Sequence, residues 1–214
     1  AAAQCRISAL RHENEKSLFT LVTPDGTQTA MKVSMPGIHN ALNATAASIC
    51  ASEYGISLHA CSSALEKYKG VKRRFEFVLK SDFITVIDDY AHHPEEINQL
   101  ATSVRAMYPD KKITAVFQPH LYSRTRDFAK EFGTSLSLFD RVILLPIYPA
   151  REEPIPGVTS SMLEAYINCD VETIEKKELA PTMKQLDTDI LLTVGAGDID
   201  RLIPEIVQQL KATS

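Results

Sequence analysis

The stretch VIDDYAHHPEE, residues 86–96, places several ionisable and aromatic side chains directly after an apolar run. A solvated loop needs only residues such as Ser, Gly and Asn, whereas this one carries groups that bind phosphates, metals or carboxylates: Asp88, Asp89, Tyr90, His92 and His93. Pro94 suits the first turn of a helix that follows. The pattern predicts a ligand-binding loop, and the alternative for any one histidine is a capping or core role.

A second stretch of the same kind, FQPHLYSRTRD, begins at Phe117. It supplies polar and aromatic groups just before or at the start of a predicted helix: His120, Tyr122, Arg124 and Arg126. A guanidinium beside the free backbone donors of a helix start is suited to bind a carboxylate or a phosphate. The alternative is that Arg124 or Arg126 pairs with a surface acid such as Asp127.

A metal site built from these two stretches is a further alternative. Its candidate ligands are Asp88, Asp89, His92, His93 and His120. Adjacent histidines do not easily aim at one ion, and the sequence has no pair of histidines four residues apart. We therefore expect no metal ligands among them.

The elements that position these loops alternate regularly from residue 83 onward. Predicted strands are FITVIDD, KITAVF, RVILLPI, VETI and DILLTV. Predicted helices are PEEINQLATSVRAMY, TRDFAKEFGTSLSLF, SSMLEAYIN, LAPTMKQL and RLIPEIVQQLKA. Strands that alternate with helices imply a mostly parallel sheet with helices on both faces. The fold class is α/β, with a complete domain of roughly Rossmann type over residues 70–214.

The loops at the two ends of the predicted strands differ in character. The carboxyl ends lead into DDYAHHP, FQPHLYSRTRD, IYPAREEPIPG and GAGDID, whereas MYPDKK, LFD and QLDT at the other ends are plain turns. Ligands of open α/β sheets collect at the carboxyl ends of strands. We call these four loops the carboxyl edge and expect the functional groups there.

The first part of the chain has a different pattern. Residues 5–35 alternate in polarity as strands do, and two helices follow, the first ended by Gly55 and the second capped by Ser57. The chain starts abruptly, without an initiator Met or a capped helix, so we expect residues 1–69 to be the tail of a domain. Basic residues at the junction, Lys72, Arg73 and Arg74, could bind a nucleotide or form a solvated hinge.

Composition excludes several classes of protein. The net charge of −4 argues against nucleic acid as a partner, and no apolar run is long enough for membrane insertion. Four scattered cysteines without a C-x-x-C pair are typical of reduced thiols in a cytoplasmic protein. The triphosphate-binding pattern G-x-x-x-x-G-K-[ST] is absent from the sequence.

Six motifs, in this order, resemble landmarks of the Mur ligases: PGIHNALNATAA, VKRRFE, DDYAHHPEE, FQPHLYSRT, YPAREEPIPG and GAGDI. The resemblance covers nearly the whole chain. It implies a three-domain enzyme, of which residues 1–69 would be the end of the central ATP-binding domain and residues 70–214 the Rossmann-like C-terminal domain. The P-loop would lie in a part that this sequence lacks, so the chain alone is expected to be inactive.

The resemblance is strongest to members that join L-alanine to UDP-N-acetylmuramate through an acyl phosphate in peptidoglycan synthesis. It implies ATP and Mg²⁺ as cofactors, with the metal site mainly in the absent part. The implied nucleotide-binding residues are His39, Asn40, Asn43, Arg74 and Asp89. The implied substrate-binding residues are Tyr90, His92, His120 and Arg124, and no residue is assigned a catalytic proton transfer.

One position departs from the family pattern. Many relatives carry a basic residue directly after the histidine of FQPH, where this chain has Leu121. Two other functions stay open at this point: a recycling ligase that attaches a tripeptide to the same sugar nucleotide, and a non-enzymatic nucleotide-binding module.

Overall fold

The computed structural model describes residues 4–13 and 16–213. They divide into two compact units, Ala1–Val71 and Lys72–Ser214.

The first unit is a small antiparallel sheet with two helices. Its elements are β1 (Arg6–Glu13), β2 (Lys16–Val22), β3 (Gln28–Val33), α1 (Ile38–Glu53) and α2 (Leu58–Lys67), with strand order β1-β2-β3. Alternate residues of β2 and β3 face α1, so that Leu21 and Val33 pack with Ala41 in one buried cluster. The Ser57 side chain accepts from Ala60 N at 3.2 Å, which confirms the predicted cap of α2.

The second unit contains the α/β domain. Its strands are β4 (Glu76–Lys80), β5 (Thr85–Asp89), β6 (Ile113–Phe117), β7 (Arg141–Leu144), β8 (Asp170–Thr173) and β9 (Ile190–Val194). Its α-helices are α3 (Pro94–Met107), α4 (Tyr122–Asp127), α5 (Ala129–Leu136), α6 (Lys176–Thr182) and α7 (Ile203–Thr213). Three 3₁₀ segments cover Ser160–Tyr166, Met183–Gln185 and Ile199–Leu202.

The strand order is β4-β5-β9-β6-β7-β8. β4 runs antiparallel to β5, and every other neighbouring pair is parallel, which confirms the predicted mostly parallel sheet. β9, the last strand in the chain, lies between β5 and β6. The carboxyl ends of β5, β9, β6 and β7 are therefore neighbours in that order.

Helices cover both faces of this sheet. Val86 and Ile87 are fully buried neighbours in β5, yet they belong to different clusters because successive side chains point to opposite faces. Ile87 packs with residues of α3 and α5, and Val86 packs with residues of α6 and α7. This is the two-faced core that alternating strands and helices predict.

Three helical segments differ from the sequence prediction. The stretch TRDFAKEFGTSLSLF was predicted as one helix, but α4 ends at Asp127 and α5 begins at Ala129. Between them, Phe128 has a non-helical φ of −116°, and its ring lies 5.1 Å from the His93 ring between centroids. The segment Ser160–Tyr166 is a 3₁₀ helix, and Ile199–Leu202 is a 3₁₀ turn that leads into α7. β4 was not among the predicted strands.

The carboxyl end of β5 carries two buried acids, Asp88 and Asp89. The Asp89 carboxylate accepts from Phe75 N at 2.7 Å and from Ala91 N at 2.8 Å. Burial raises the pKa of Asp89 to about 6, because the loss of hydration outweighs these two hydrogen bonds, which favour the ionised form. Asp89 thus holds the segment before β4 and the loop after β5 through a carboxylate whose ionised form is disfavoured by burial.

The raised pKa of Asp89 predicts a pH-dependent stability. The folded state binds this proton more tightly than the unfolded chain does, so the contribution of Asp89 is full below about pH 4 and is lost as the pH rises through 6. The shift corresponds to about 3 kcal/mol. Urea unfolding of the wild type and of Asp89→Asn measures the effect. The free energy of unfolding of the wild type minus that of the variant should fall by about that amount between pH 4 and pH 7. Asp110→Asn, at an exposed position, is the control for the loss of a carboxyl group; a stability difference between the wild type and Asp89→Asn that does not change with pH would contradict the prediction.

A second stability prediction concerns the contact between α5 and the 3₁₀ segment Ser160–Tyr166. A Cβ at Gly133 would lie 2.2 Å from Tyr166 Cβ and 2.5 Å from Tyr166 O. Gly133→Ala should therefore lower the free energy of unfolding by about 1–3 kcal/mol, although alanine is the better helix former. Lys130→Ala, on the exposed side of the same helix, should change it by less than about 0.5 kcal/mol. Equal stabilities of the two variants in thermal unfolding would refute the close packing.

Candidate functional site

The Arg73 guanidinium ties the end of β5 to the loop after β9. Its Nη2 donates to Gly195 O at 2.5 Å, its Nη1 donates to Gly197 O at 3.2 Å, and its Nε lies 3.3 Å from Asp88 Oδ2. Asp88 also accepts from Thr193 Oγ1 at 2.6 Å, and burial raises the pKa of its carboxyl. Of the basic residues at the junction, Arg73 therefore binds the protein itself, and its side chain is only 19% exposed.

The neighbouring residue, Arg74, is exposed and faces an aromatic ring. Its guanidinium carbon lies 5.3 Å from the centroid of Tyr90, and that of Arg73 lies 5.0 Å from the same ring. Tyr90 N donates to Arg73 O at 2.7 Å, which fixes the ring beside both guanidinium groups. Cation–π contact holds the Arg74 charge at the carboxyl edge while leaving it open to an anionic ligand.

Aromatic and imidazole rings join the loops after β5, β6 and β7. The centroids of Tyr90 and His92 are 5.3 Å apart, and those of His92 and His120 are 5.9 Å apart. His120 stacks on Tyr148 at 5.7 Å. The structure therefore places three of the predicted substrate-binding residues in one cluster, and it adds Tyr148, which was not predicted.

His120 is held in its neutral form. Burial lowers its pKa, and the charges of Arg124 and His92 lower it further. In the described part of the chain, His120 Nδ1 is buried without a hydrogen-bond partner. Ring contacts with His92 and Tyr148 hold this imidazole at the carboxyl edge.

The fourth predicted residue, Arg124, is loosely held. Its Nη1 lies 3.5 Å from His92 O, which is a long hydrogen bond. Arg126, by contrast, pairs with Asp127 at 2.7 Å on the exposed side of α4. The surface pairing considered from the sequence thus applies to Arg126, and the Arg124 guanidinium keeps donors for a ligand.

His92 and His93 have different surroundings. His92 Nδ1 lies 3.0 Å from Tyr90 O and 3.2 Å from Glu96 Oε2. His93 is the N-cap of α3, with Pro94 as the first helical residue, and Glu96 accepts from its backbone N at 3.2 Å. His93 therefore takes the capping alternative, and His92 stays in the ring cluster.

A buried amide behind the cluster was missed in the sequence. Gln118 is fully buried; its Nε2 donates to Asp198 Oδ1 at 2.8 Å, and its Oε1 accepts from Ile199 N at 3.0 Å. Lys176 Nζ donates to the same Asp198 oxygen at 2.5 Å. A Cβ at Gly197 would lie 2.4 Å from Gln118 Oε1, so this position of GAGDID requires glycine. The signal was a glutamine directly after a mostly apolar strand.

The predicted nucleotide-binding residues of the first unit lie at the start of α1. Asn40 Nδ2 donates to Pro36 O at 2.7 Å, which leaves its side-chain oxygen as an acceptor. His39 is half-buried and Asn43 is exposed. Gly37, with φ +96°, turns the chain into this helix.

Two kinds of feature are absent from the residues that the structure describes. Residues 4–13 and 16–213 contain no group of three or more His, Cys, Asp or Glu residues that could hold a metal ion. Their helices include none with the length and apolar character needed to cross a membrane.

Comparisons with known proteins agree with the sequence motifs. A family model described as "Mur ligase, glutamate ligase domain" matches residues 73–197, which is more than half of the chain. The UDP-N-acetylmuramate–L-alanine ligase of Christiangramia forsetii is 48% identical over 202 residues, and that of Flavobacterium psychrophilum is 44% identical over the same length. Both alignments cover 94% of this chain and 45% of the relative, so the chain spans about half the length of the curated relatives it matches.

A solved structure shows the same fold. The UDP-N-acetylmuramate–alanine ligase of Thermotoga maritima superposes with a TM-score of 0.84 at 25% identity. The match covers 99% of this chain and 46% of the other. Family model, relatives and fold give one conclusion: the chain belongs to the Mur ligase family.

Proposed function

We propose that this chain forms part of an ATP-dependent ligase that joins L-alanine to UDP-N-acetylmuramate in peptidoglycan synthesis. The observation that carries the proposal is the 48% identity, over 94% of the chain, to a relative of that name. In this proposal residues 1–69 end the central ATP-binding domain, and residues 70–214 form the C-terminal domain. The reaction takes place in the cytoplasm, in keeping with four cysteines that are all free thiols.

The reaction converts a carboxylate into an acyl phosphate at the expense of ATP, and the amine of alanine then displaces phosphate to form the amide. Because the resemblance to the family implies a Mg²⁺ site mainly in the part that carries the P-loop, we assign no metal ligand to this chain. Its residues act by binding and orientation. Positioning two reactants in an enclosed site can supply much of the acceleration without a proton-transfer group.

We assign the alanine carboxylate to Arg124. Its guanidinium has donors to spare and is a permanent charge beside the ring cluster. His120, Tyr90 and His92 form the wall of the pocket. The charge of Arg124 selects a carboxylate.

We assign the phosphates and the ribose of ATP to the neighbourhood of Arg74 and Asp89. Arg74 is exposed and can pair with a phosphate directly. Both Asp89 oxygens already accept from backbone donors, one of them Phe75 N, so Asp89 serves chiefly to hold the backbone next to Arg74. For the base, Asn43 presents an exposed amide, and His39 and Asn40 complete the set.

The first test of this proposal is a chimera in which the chain replaces the matched region of the Christiangramia forsetii relative. With ATP, Mg²⁺ and UDP-N-acetylmuramate, phosphate release should depend on L-alanine. Release that depends only on the tripeptide would assign the chain to the recycling ligase, and no release with either acceptor would contradict the proposal.

The 214-residue chain by itself should release no phosphate under the same conditions, because its sequence has no triphosphate-binding loop. Alanine-dependent turnover by the chain alone would contradict this expectation.

Replacing Arg124 should weaken alanine binding selectively. In the chimera, Arg124→Ala should raise the KM for alanine by the equivalent of about 2–5 kcal/mol, which is the usual loss for one partner of a desolvated charge pair. The KM for ATP should change little. Arg126→Ala is the matched control, since Arg126 lies on the same helix and pairs with Asp127 in solvent. A larger change in the KM for ATP than in the KM for alanine would show that Arg124 does not bind the alanine carboxylate.

A further inference from the structure

The short helix α4, which carries Arg124, has no cap of its own. Its N-cap residue is Leu121, which has φ +73° and whose side chain accepts no hydrogen bond. The first backbone N–H groups of a helix have no partner within the helix, so they need acceptors from elsewhere. Leu121 N itself donates to Tyr148 O at 2.9 Å.

The missing acceptor comes from Glu152, in the loop after β7. Its Oε2 accepts from Ser123 N at 2.9 Å, and its Oε1 accepts from Ser123 Oγ. These hydrogen bonds lower the pKa of Glu152, and the charge of Arg124 lowers it further. The group is therefore ionised at neutral pH, and a carboxylate at a helix start is also favoured by the helix dipole.

The loop that presents Glu152 is fixed against the loop after β6. Tyr148 N donates to Pro119 O at 2.8 Å, and His120 and Tyr148 form an isolated parallel bridge. Glu152 N donates to Pro149 O at 2.9 Å, which turns the chain back toward α4. The carboxylate thus reaches Ser123 from a backbone that is already paired on both sides of His120.

Arg124 follows Ser123 directly in the chain. Within the described part of the chain its guanidinium makes one long hydrogen bond, to His92 O at 3.5 Å. Its own side-chain contacts therefore fix its direction weakly. The direction must come from the backbone of α4, whose start is held from the loop after β7 by Glu152 at Ser123 and by Tyr148 O at Leu121 N.

We infer that Glu152 is a positioning residue for the amino-acid site: it holds Ser123 and the first turn of α4 so that Arg124 points at the substrate carboxylate. The inference rests on the proposed function, since it takes Arg124 as the carboxylate-binding group. It adds a residue from a different loop, 29 positions along the chain from Ser123.

The contact itself can be tested without activity. In the 214-residue chain, amide hydrogen exchange at Ser123 should be at least about tenfold faster in Glu152→Ala than in the wild type, because the N–H loses its acceptor. Glu153→Ala removes the adjacent, exposed carboxylate and should leave the Ser123 exchange rate unchanged. Equal protection in the wild type and Glu152→Ala would overturn the inference at this first step.

The consequence for binding is tested in the chimera. Glu152→Ala should raise the KM for alanine about tenfold, with kcat and the KM for ATP within about twofold, because misdirection of Arg124 affects alanine alone. Glu152→Gln should recover part of the loss, since the amide oxygen can accept one of the two hydrogen bonds. Glu153→Ala should match the wild type. If Glu152→Ala does not fold, Ser123→Ala removes only the hydroxyl contact and should raise the KM for alanine by a smaller factor.

The outcomes separate the inference from the proposed function. A wild-type chimera without alanine-dependent turnover would refute the proposed function, whatever the exchange data show. A working chimera in which Arg124→Ala raises the KM for alanine, but Glu152→Ala and Ser123→Ala do not, would overturn the positioning role alone. A fall in kcat with equal changes in both KM values would also overturn it, because a general loss of structure has that signature.

Discussion

The geometry of the carboxyl edge depends on the guanidinium of Arg73. This group satisfies the carbonyl oxygens of Gly195 and Gly197 and pairs with the buried Asp88, so one side chain joins the segment before β4, the end of β5 and the loop after β9. Without this guanidinium, two carbonyl oxygens would lose a hydrogen bond and the Asp88 carboxylate would lose an ion pair, all of them largely shielded from water. Such losses cost several kcal/mol in sum. Arg73 adopts a left-handed backbone conformation with φ +59°, at a cost of about 1–2 kcal/mol. The contacts of the Arg73 side chain with the two carbonyl oxygens and with Asp88 offset that cost.

Burial acts on the charges of this edge in a consistent way. It raises the pKa of Asp89 and lowers that of His120, so both groups are driven toward their neutral forms. A guanidinium group does not lose its proton in a protein, so Arg74 and Arg124 stay positively charged. The Glu152 carboxylate already accepts hydrogen bonds from the backbone N and the hydroxyl of Ser123, at the start of α4. Arg74 and Arg124 therefore offer positive charge to a ligand, which suits the proposed binding of phosphates and carboxylates at this edge.

Much of the α/β domain could be predicted from local pattern. The apolar runs of β5, β6, β7 and β9 are fully or nearly fully buried, and such runs separated by helical periodicity identify a parallel sheet. The position of β9 between β5 and β6 was not predictable in this way, because strand order is set by packing between distant segments. The break at Phe128 was not predicted either: the sequence from Thr125 to Phe139 has the pattern of one continuous helix, and the Phe128 ring lies against His93, which is distant in the chain.

Some residues of the candidate site could be recognised in the sequence, and others only in the structure. Tyr90, His92, His120 and Arg124 stand out in the sequence because ligand-binding groups follow apolar strands, where a plain turn would suffice. Arg73, Gln118 and Glu152 act on backbone groups up to 124 positions away, and no spacing rule connects such partners. Their types gave a weak signal only: a glutamine after a buried strand, an acid in a proline-rich loop. A ligand-binding residue presents a polar, charged or aromatic group to the ligand, so its residue type alone can indicate its role in the sequence. Residues that hold those groups in place are chosen for what they face inside, and that becomes visible only in the folded chain.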